Sequence, residues 1–304
     1  MPELPEVQTT VNGLQQSIVG LRITDVWSNY GSRYFIGSET IKDASYFPRF
    51  SKAVKGARVV GVSRRAKNVL VGLDNGMTIL IHMKMTGHLL CGIYRFVPGN
   101  SGDPWDPISP PGLKDPYNRC IRFVLSFDNG RYLALSDVRR FAKVAVVDSD
   151  NLHVSVHLRD IGPEPLDVEF SFVKFNARLG LRPNGKIKQV LMDQSIVAGI
   201  GNIYADESLW RAGINPTRIV SGISVSERRR IFTAILGTLS RGIDFGGDST
   251  SDYRNVDGEK GKFHESHHAY KRTGSKCDKK NCGGKIVRIM LGGRSTHFCD
   301  RHQK

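Results

Sequence analysis

The chain has 304 residues, which is enough to bury a sizeable core and predicts two domains with a small appendage. Its composition, 39% hydrophobic and 24% charged, is typical of a soluble globular protein. No transmembrane run is visible, and no signal peptide follows Met1. We therefore expect a soluble cytoplasmic or nucleoid-associated protein without a membrane partner.

Positive charge is concentrated at the C-terminus. The formal net charge is +15, and the segment from Lys271 to Lys304 carries ten Lys or Arg against two Asp. Such a cluster favours a polyanion as partner, because counterions released from a nucleic acid drive binding. A solvated surface is the alternative, and charge alone does not separate DNA from RNA or a membrane.

The first half of the chain predicts a helix followed by antiparallel strands. Apolar residues recur at helical spacing over 5–19, where Pro5 suits the first turn and Gly20 supplies the stop. Two hairpins are predicted around Asp-Asn-Gly turns, pairing 69–73 with 77–83 and 122–127 with 132–135. The expected product is an antiparallel β-sandwich.

A proline-rich segment separates these two hairpins. Residues 98–116 hold six of the thirteen prolines. We predict an extended surface loop there, without assigned chemistry.

The second half has helical periodicity. Predicted helices cover 168–179, 187–197, 203–212 and 225–242, and a glycine-bearing turn at 198–202 opens the third. Residues 244–270 are rich in Gly, Asp, Ser and His and lack periodicity, which predicts a mobile loop. The tail contains strand-like runs at 285–291 and 295–298 around a Gly-Gly turn.

Two pairs of potential metal ligands flank this C-terminal hairpin. Cys277 and Cys282 precede it, and Cys299 and His302 follow it. Three thiolates and one imidazole suit a tetrahedral structural Zn²⁺. His297 is an alternative fourth ligand. A metal would also explain how a short segment without its own core can fold.

The N-terminus carries a candidate nucleophile. Loss of Met1 would leave Pro2 with a free secondary amine, and an α-amino group titrates at about 7.7–8. Attack on an aldehyde-level carbon would give an iminium, which acts as an electron sink and permits elimination. Glu3 is placed to transfer protons and Glu6 to stabilise the charged intermediate. The alternative interpretation is that both glutamates simply cap the first helix.

Six motifs occur in one order along the chain. They are Pro2–Val7, Arg64–Lys67, His82–Gly87, Asp137–Phe141, Gly199–Ser208 and the zinc hairpin. Together they closely resemble the bacterial formamidopyrimidine-DNA glycosylases, sisters of the endonuclease VIII enzymes, over essentially the whole chain.

The resemblance implies an α+β multidomain fold. A catalytic antiparallel β-sandwich opened by a helix would occupy 1–150. A helix–two-turn–helix DNA-binding domain would follow over 151–270, and the zinc β-hairpin over 271–304. A loop at about 244–262 would close over a damaged base, with DNA in the cleft.

The resemblance also implies a base excision repair reaction. In that family the residue matching Pro2 attacks C1′ of a damaged nucleotide, releases an oxidised purine, and then eliminates both phosphates. Glu3 matches the proton-transfer carboxylate and Glu6 a supporting one. Lys67, together with Asn202 and Arg294, matches residues that grip phosphates.

Further positions match residues that handle the extruded nucleotide. Met85, Arg139 and Phe141 match side chains that fill the vacated stack, and Arg140 would contact the backbone. The lesion-loop candidates are Thr250, Ser251 and Tyr253. The expected partner is damaged double-stranded DNA, bound by a monomer.

Three features depart from the family. Lys84 stands where glycine is usual, His302 replaces a fourth cysteine after a widened first gap, and the 93–118 insertion is long. Two alternatives remain open. One is an oxidised-pyrimidine glycosylase of endonuclease VIII type, and the other is a non-catalytic nucleic-acid-binding zinc protein.

Overall fold

The protein is described by a computed structural model covering every residue except 100–102. The chain forms two compact units. The first consists of Met1–Arg159 and Gly246–Lys262, and the second of Asp160–Phe245 and Phe263–Lys304. Each unit is therefore built from two separate stretches of sequence.

The first unit is an antiparallel β-sandwich. Its sheets have the strand orders β1-β7-β8-β5-β6 and β2-β3-β4-β9, and apolar side chains from both sheets and from α1 share one core. This arrangement confirms the fold class predicted for the N-terminal half. Its helices and strands are α1 (Leu4–Ile18), β1 (Ile23–Ser28), α2 (Phe47–Val54), β2 (Val59–Arg65), β3 (Asn68–Leu73), β4 (Met77–His82), β5 (His88–Phe96), β6 (Trp105–Ser109), β7 (Ile121–Phe127), β8 (Tyr132–Ser136) and β9 (Lys143–Asp148).

Helix α1 forms where its apolar spacing predicts. Val7, Val11 and Ile18 lie on its buried face, and Pro5 occupies its first turn, where a missing N–H costs nothing. The helix ends before Gly20, which adopts the left-handed backbone with φ of 86°.

Both predicted hairpins are confirmed. Strands β3 and β4 pair across an Asp-Asn-Gly turn, and β7 and β8 pair across another. Gly76 and Gly130 end these turns with φ of 79° and 78°, a conformation that favours glycine.

The proline-rich segment is not an extended loop, so this prediction was wrong. Strand β6 pairs with β5, and short 3₁₀ turns follow at Pro111–Lys114 and Pro116–Asn118. Trp105 and Leu113 are buried in a second apolar cluster, which lies on the opposite face of the five-stranded sheet from the main core. Burial of these two side chains stabilises structure that proline content alone obscured. Residues 100–102 of this prediction lie outside the described residues.

The second unit combines helices with a hairpin. Within the described residues, no helix is both long and apolar enough to cross a bilayer. The elements are α3 (Phe172–Gly180), α4 (Ile187–Met192), α5 (Asn202–Ala212), α6 (Val225–Asp244), β10 (Ile286–Leu291) and β11 (Arg294–Cys299).

Helix α4 is shorter than its predicted range of 187–197. The Asp193 carboxylate accepts hydrogen bonds from the Ser195 amide, at 2.9 Å, and from the Ser195 hydroxyl, at 2.7 Å. This local turn competes with continuation of the helix.

The segment 244–270 makes buried side-chain contacts, and the mobility predicted for it stays a prediction. Arg254 and Phe263 are each 1% exposed, and a β-bridge joins Asp248 to Lys262. These contacts are non-periodic, so helical and strand patterns do not reveal them. Part of the predicted 151–270 domain consequently lies in the first unit.

The start of α6 is stabilised by a carboxylate. Glu227 accepts a hydrogen bond from the Ser224 amide at 2.8 Å and an ion-paired contact from Arg218 at 2.5 Å. The Arg218 hydrogen bond is the main reason that the pKa of Glu227 falls to about 2. An unfolded glutamate titrates near about 4.3.

We expect Glu227→Gln to lower the free energy of unfolding by about 1–2 kcal/mol at pH 7. A lowered folded-state pKa stabilises the fold above the unfolded value, and this contribution disappears as the pH falls towards 2. The difference between wild type and variant should therefore shrink below about pH 4.3. Denaturant unfolding at several pH values measures it.

Glu169→Gln is the matched control, because Glu169 is 82% exposed and its ion pair with Lys174 is on the surface. An equal loss of stability in both variants would contradict the conclusion that the Glu227 carboxylate stabilises the start of α6.

Candidate active site and metal centre

The N-terminal glutamates are buried at the start of α1. Pro2 is also buried, and Glu3 and Glu6 are 2% and 1% exposed. The Glu6 carboxylate accepts hydrogen bonds from the Glu3 amide and the Asp248 amide, both at 2.7 Å. Glu6 therefore does cap α1, and it also ties the 246–262 segment to the N-terminus. Capping accordingly accounts for part of what Glu6 does.

The predicted lesion-loop residues lie beside this helix. The Tyr253 hydroxyl donates to the Glu6 carbonyl at 3.0 Å, and the ring is 4% exposed. Thr250 is anchored through its amide to the Asp248 carboxylate at 3.0 Å. Ser251 is exposed. Tyr253 thus positions the loop, whereas Thr250 and Ser251 are the more accessible members.

Lys67 lies in the tight turn between β2 and β3. Ala66, the other turn residue, has φ of 52°. Asn68, His82 and Lys143 are cross-strand partners in the same sheet. The register therefore brings Lys67 and the residues after His82 to one end of the four-stranded sheet.

Lys67, Lys84 and Lys143 interact with His82 at this end, and Lys42 interacts with Lys84 and Lys143; we refer to these four residues as the lysine cluster. Burial, together with repulsion from Lys84, Lys67 and Lys143, lowers the pKa of His82 to about 3. Burial also lowers the pKa of Lys42 and of Lys84. Such a concentration of positive charge favours binding of an anion.

Lys84 has a strained backbone. Its φ is 56°, in the left-handed region that favours glycine. Its amide donates to Nδ1 of His82 at 3.0 Å. The resemblance implies glycine at this position, where the backbone is left-handed, and this chain has a cation there instead.

The three predicted void-filling residues lie on two joined turns. Met85 is half-buried, whereas Arg139 and Phe141 are exposed, with the guanidinium 4.6 Å from the ring centroid. The Thr86 hydroxyl donates to Asp137 at 2.6 Å and accepts from the Arg139 amide at 3.1 Å. Thr86 and Asp137 thus hold the two turns together.

Arg140 is held differently from its neighbours. Its guanidinium donates to the Asn29 carbonyl, and its φ is 56°. Asp137 fixes this turn as well, because its second oxygen accepts from Tyr30 at 2.6 Å and from the Ala142 amide at 2.8 Å.

In the second unit, Asn202 and Arg294 belong to different elements. Asn202 begins α5, and its amide nitrogen donates to the Ser295 carbonyl at 3.1 Å. Arg294 is exposed and begins β11, directly after the Gly292-Gly293 turn, whose φ angles are 55° and 71°. The hairpin contact with α5 therefore places Asn202 close to the residue that follows Arg294.

A buried ion pair was missed by the sequence analysis. Lys188 contacts Asp206 at 2.7 Å, and the side chains are 1% and 0% exposed. Lys188 also donates to Thr296 at 2.8 Å, while Asp206 accepts from the His297 amide at 2.9 Å. These bonds join α4, α5 and the hairpin. The available signal was a lysine among apolar residues of a predicted helix.

Glu207 was also missed. It is 1% exposed and accepts amide hydrogen bonds from Ala269 and Tyr270, each at 2.8 Å. It therefore fixes the start of the C-terminal segment to α5.

The predicted metal ligands come together. The ligand atoms of Cys277, Cys282, Cys299 and His302 all lie within 4.8 Å of one another. Zn–S bonds of about 2.3 Å in a tetrahedral shell require separations of this order. Nε2 of His302 lies 3.0 Å from the Trp210 carbonyl, which leaves Nδ1 for the metal. The site therefore fits one structural Zn²⁺.

His297 is not the fourth ligand. Its Nδ1 lies 3.2 Å from the Asp206 carboxylate, and the residue is 5% exposed. The structure thus resolves the alternative in favour of His302.

Comparisons with known proteins cover all three regions. The model of the formamidopyrimidine-DNA glycosylase N-terminal domain matches residues 1–144, and that of the family's H2TH domain matches 161–254. A zinc finger found in FPG and IleRS matches 274–303.

Relatives that match over the whole chain belong to the same family as these domain models. The formamidopyrimidine-DNA glycosylase of Heliobacterium modesticaldum is 36% identical over all of both chains. The Lactococcus lactis Fpg complex with DNA containing an abasic site has a TM-score of 0.81 and 28% identity, covering 99% of each chain. A variant of that enzyme with DNA containing Fapy-dG has a TM-score of 0.82 and 29% identity, covering both chains fully.

The sandwich, the helical unit and the zinc hairpin together define a DNA-repair glycosylase of the helix–two-turn–helix class. The chain belongs to the formamidopyrimidine-DNA glycosylase family, which comprises DNA glycosylases with AP-lyase activity.

We expect His302→Ala to lose bound zinc, or to bind it at least about tenfold more weakly, because one first-sphere donor is removed. His297→Ala is the matched control and should retain the metal, since the Asp206 contact is not a metal bond. Metal analysis after dialysis against a chelator measures the difference. Zinc lost from the His297 variant alone would reverse the assignment.

Proposed function

We propose that the protein is a bifunctional DNA glycosylase and AP lyase that excises oxidised purines, such as 8-oxoguanine and formamidopyrimidines, through a Schiff base on Pro2. The main support for this proposal is that Glu3 and Glu6 are buried beside Pro2. The Glu6 carboxylate is fixed there by hydrogen bonds from two backbone amides. Fixed carboxylates next to a chain-terminal amine provide the groups that this chemistry requires.

Removal of Met1 is the first requirement, because a peptide nitrogen has no available lone pair. The Pro2 nitrogen then forms a bond to C1′, and the glycosidic bond breaks with its electron pair leaving on the base, which takes up the proton lost from the Pro2 nitrogen. The C1′–O4′ bond opens, Glu3 supplies the proton to O4′, and the nitrogen lone pair completes the iminium. Glu6 stabilises the positive charge.

Strand cleavage follows from the iminium. Loss of a C2′ proton feeds electrons towards C1′, so that the 3′ phosphate leaves by β-elimination. Loss of a C4′ proton then expels the 5′ phosphate through the conjugated system, and hydrolysis of the iminium restores the Pro2 amine. Glu3 carries the protons for these steps.

Phosphate binding is assigned to cations of both units. The lysine cluster, including Lys67, provides point charges, and Arg294 provides a planar donor on an exposed turn. Asn202 adds an amide at the start of a helix. The proposed partner is damaged double-stranded DNA, bound by a monomer.

The extruded nucleotide leaves a gap in the duplex. We assign Met85, Arg139 and Phe141 to this gap. Arg139 and Phe141 are exposed, and the Arg139 guanidinium lies over the Phe141 ring. The turn that carries Met85 is joined to theirs by the hydrogen bond from the Arg139 amide to the Thr86 hydroxyl. Thr250 and Ser251 are assigned to the loop that faces the extruded base. Arg140 supports its turn through the Asn29 carbonyl.

Preference for oxidised purines is supported by the relatives. The Lactococcus lactis enzyme is named in complexes with Fapy-dG and abasic-site DNA. A panel of lesion duplexes tests the preference, and faster excision of oxidised pyrimidines than of 8-oxoguanine would place the chain with the endonuclease VIII type.

Pro2→Gly should slow base release and borohydride trapping while leaving affinity for lesion DNA largely intact, because only the nucleophilic secondary amine changes. Single-turnover excision, trapping on abasic DNA and equilibrium binding measure the three quantities. Intact mass must confirm that the wild-type chain begins at Pro2.

Arg294→Ala is the companion variant, and it should weaken DNA binding more than chemistry in bound enzyme. No covalent adduct with Met-free wild type would leave a non-catalytic zinc protein as the explanation.

Lys84→Gly should raise the free energy of unfolding by about 0.5–1 kcal/mol, because glycine relieves the left-handed strain. The same change should weaken DNA binding and reduce the slope of log affinity against log salt by about 0.9, the value for one phosphate contact. Lys84→Arg keeps both charge and strain and should match wild type. An unchanged salt slope in the glycine variant would remove Lys84 from the interface.

A further inference from the structure

The proline-rich segment contacts the 246–262 segment through a buried ion pair. The Arg254 side chain is 1% exposed, and its Nε lies 3.2 Å from the Asp115 carboxylate. Its second nitrogen donates to the other Asp115 oxygen at 3.2 Å. The Tyr117 ring covers the guanidinium, with its centroid at 4.6 Å. A buried guanidinium is stable only with such partners.

Close backbone packing adds to this contact. A Cβ on Gly112 would lie 2.5 Å from the Asp257 carbonyl oxygen, and one on Gly258 would lie 2.4 Å from the Gly112 carbonyl. Asn118 donates to the carbonyls of Gly112, at 2.8 Å, and Gly258, at 3.3 Å. The two segments therefore fit together at backbone distance.

Arg254 passes this contact on towards the N-terminus. The guanidinium donates to the carbonyls of Ser251, at 3.2 Å, and Tyr253, at 2.9 Å. The Tyr253 hydroxyl in turn donates to the Glu6 carbonyl. A continuous series of hydrogen bonds thus runs from Asp115 to α1.

The ionisation of Asp115 agrees with this geometry. Partial burial raises the pKa of Asp115, but the Tyr117 amide and Arg254 outweigh it, and the pKa lies below its ordinary value. Asp115 is therefore the counter-charge of Arg254 at neutral pH.

We propose that residues 110–118 form a brace that positions the lesion-facing loop, with Asp115 acting through Arg254. The contacts described for the brace are with Arg254, Asp257 and Gly258, none of which is assigned to the chemistry. It fixes the positions of Thr250 and Ser251 relative to Glu6. These positions determine how firmly an extruded base is retained. This inference rests on the proposed function.

The test variant is Asp115→Asn, which keeps the cap on the Tyr117 amide and removes only the charge. Asp106→Asn is the matched control, because Asp106 lies on the same insertion and its ion pair with Arg95 is on the surface. The side chain of Asp106 is 48% exposed and that of Arg95 is 68% exposed. Two rates are measured under single turnover. One is base release from an 8-oxoguanine duplex, and the other is borohydride trapping on a preformed abasic site, where no base needs to be held.

We expect Asp115→Asn to slow base release about tenfold or more, with trapping on abasic DNA changed less than about twofold. Hydrogen exchange of the 248–254 amides in free protein should become faster in this variant and stay unchanged in Asp106→Asn. Tyr117→Leu should also slow base release and speed hydrogen exchange. Tyr117→Phe keeps the ring over the guanidinium and should retain the wild-type values of both.

Equal slowing of base release and trapping would overturn the brace, since general damage to the fold affects both rates. Unchanged hydrogen exchange in Asp115→Asn would overturn it as well. Absence of trapping by wild type would instead defeat the proposed function, and the exchange experiment would still decide whether Asp115 holds the loop.

Discussion

The structure of the first unit depends on one buried carboxylate. Glu6 accepts one hydrogen bond from the amide of Glu3 and another from the amide of Asp248, more than two hundred residues away. A carboxyl group with so little exposure is tolerated only when hydrogen-bond donors surround it. The N-terminus and the loop are therefore fixed relative to each other by the same atoms. A nucleophile at a chain end, which would otherwise fray, gains a defined position in this way.

The hairpin of the second unit has too little apolar surface to fold alone. Three thiolates and an imidazole hold the hairpin's two ends, and the Lys188–Asp206 pair attaches its strand to the helices. Asp206, in the Gly199–Ser208 motif, accepts from the hairpin's His297 amide, and its neighbour Glu207 accepts from the Ala269 amide in the segment that precedes the hairpin. A buried ion pair contributes specificity of packing more than net stability, since removing its charges from water costs nearly as much as their attraction returns.

The sequence predicted the elements that follow from local rules. Periodicity located α1, both Asp-Asn-Gly hairpins formed as expected, and ligand spacing located the zinc site. It could not predict β6, because Trp105 is buried by long-range packing in a segment whose prolines suggested a loop. It also missed the packing of 246–262, in which Arg254, Tyr253 and Asp248 contact residues distant in the sequence. The choice of His302 over His297 required coordinates, since both lie within reach along the chain.

The ligand set of the zinc site has a chemical consequence for an enzyme of this family. Thiolates are the groups in a protein that peroxides and related oxidants attack, and oxidation of a ligating sulfur releases its metal. Under the proposed function, guanine oxidation and thiolate oxidation arise from the same stress, so the hairpin is at risk when the proposed activity is most needed. An imidazole in the fourth position, with its other nitrogen hydrogen-bonded to the Trp210 carbonyl, leaves three vulnerable sulfurs instead of four. One of these, on Cys299, is fully buried, which shields it from dissolved oxidants.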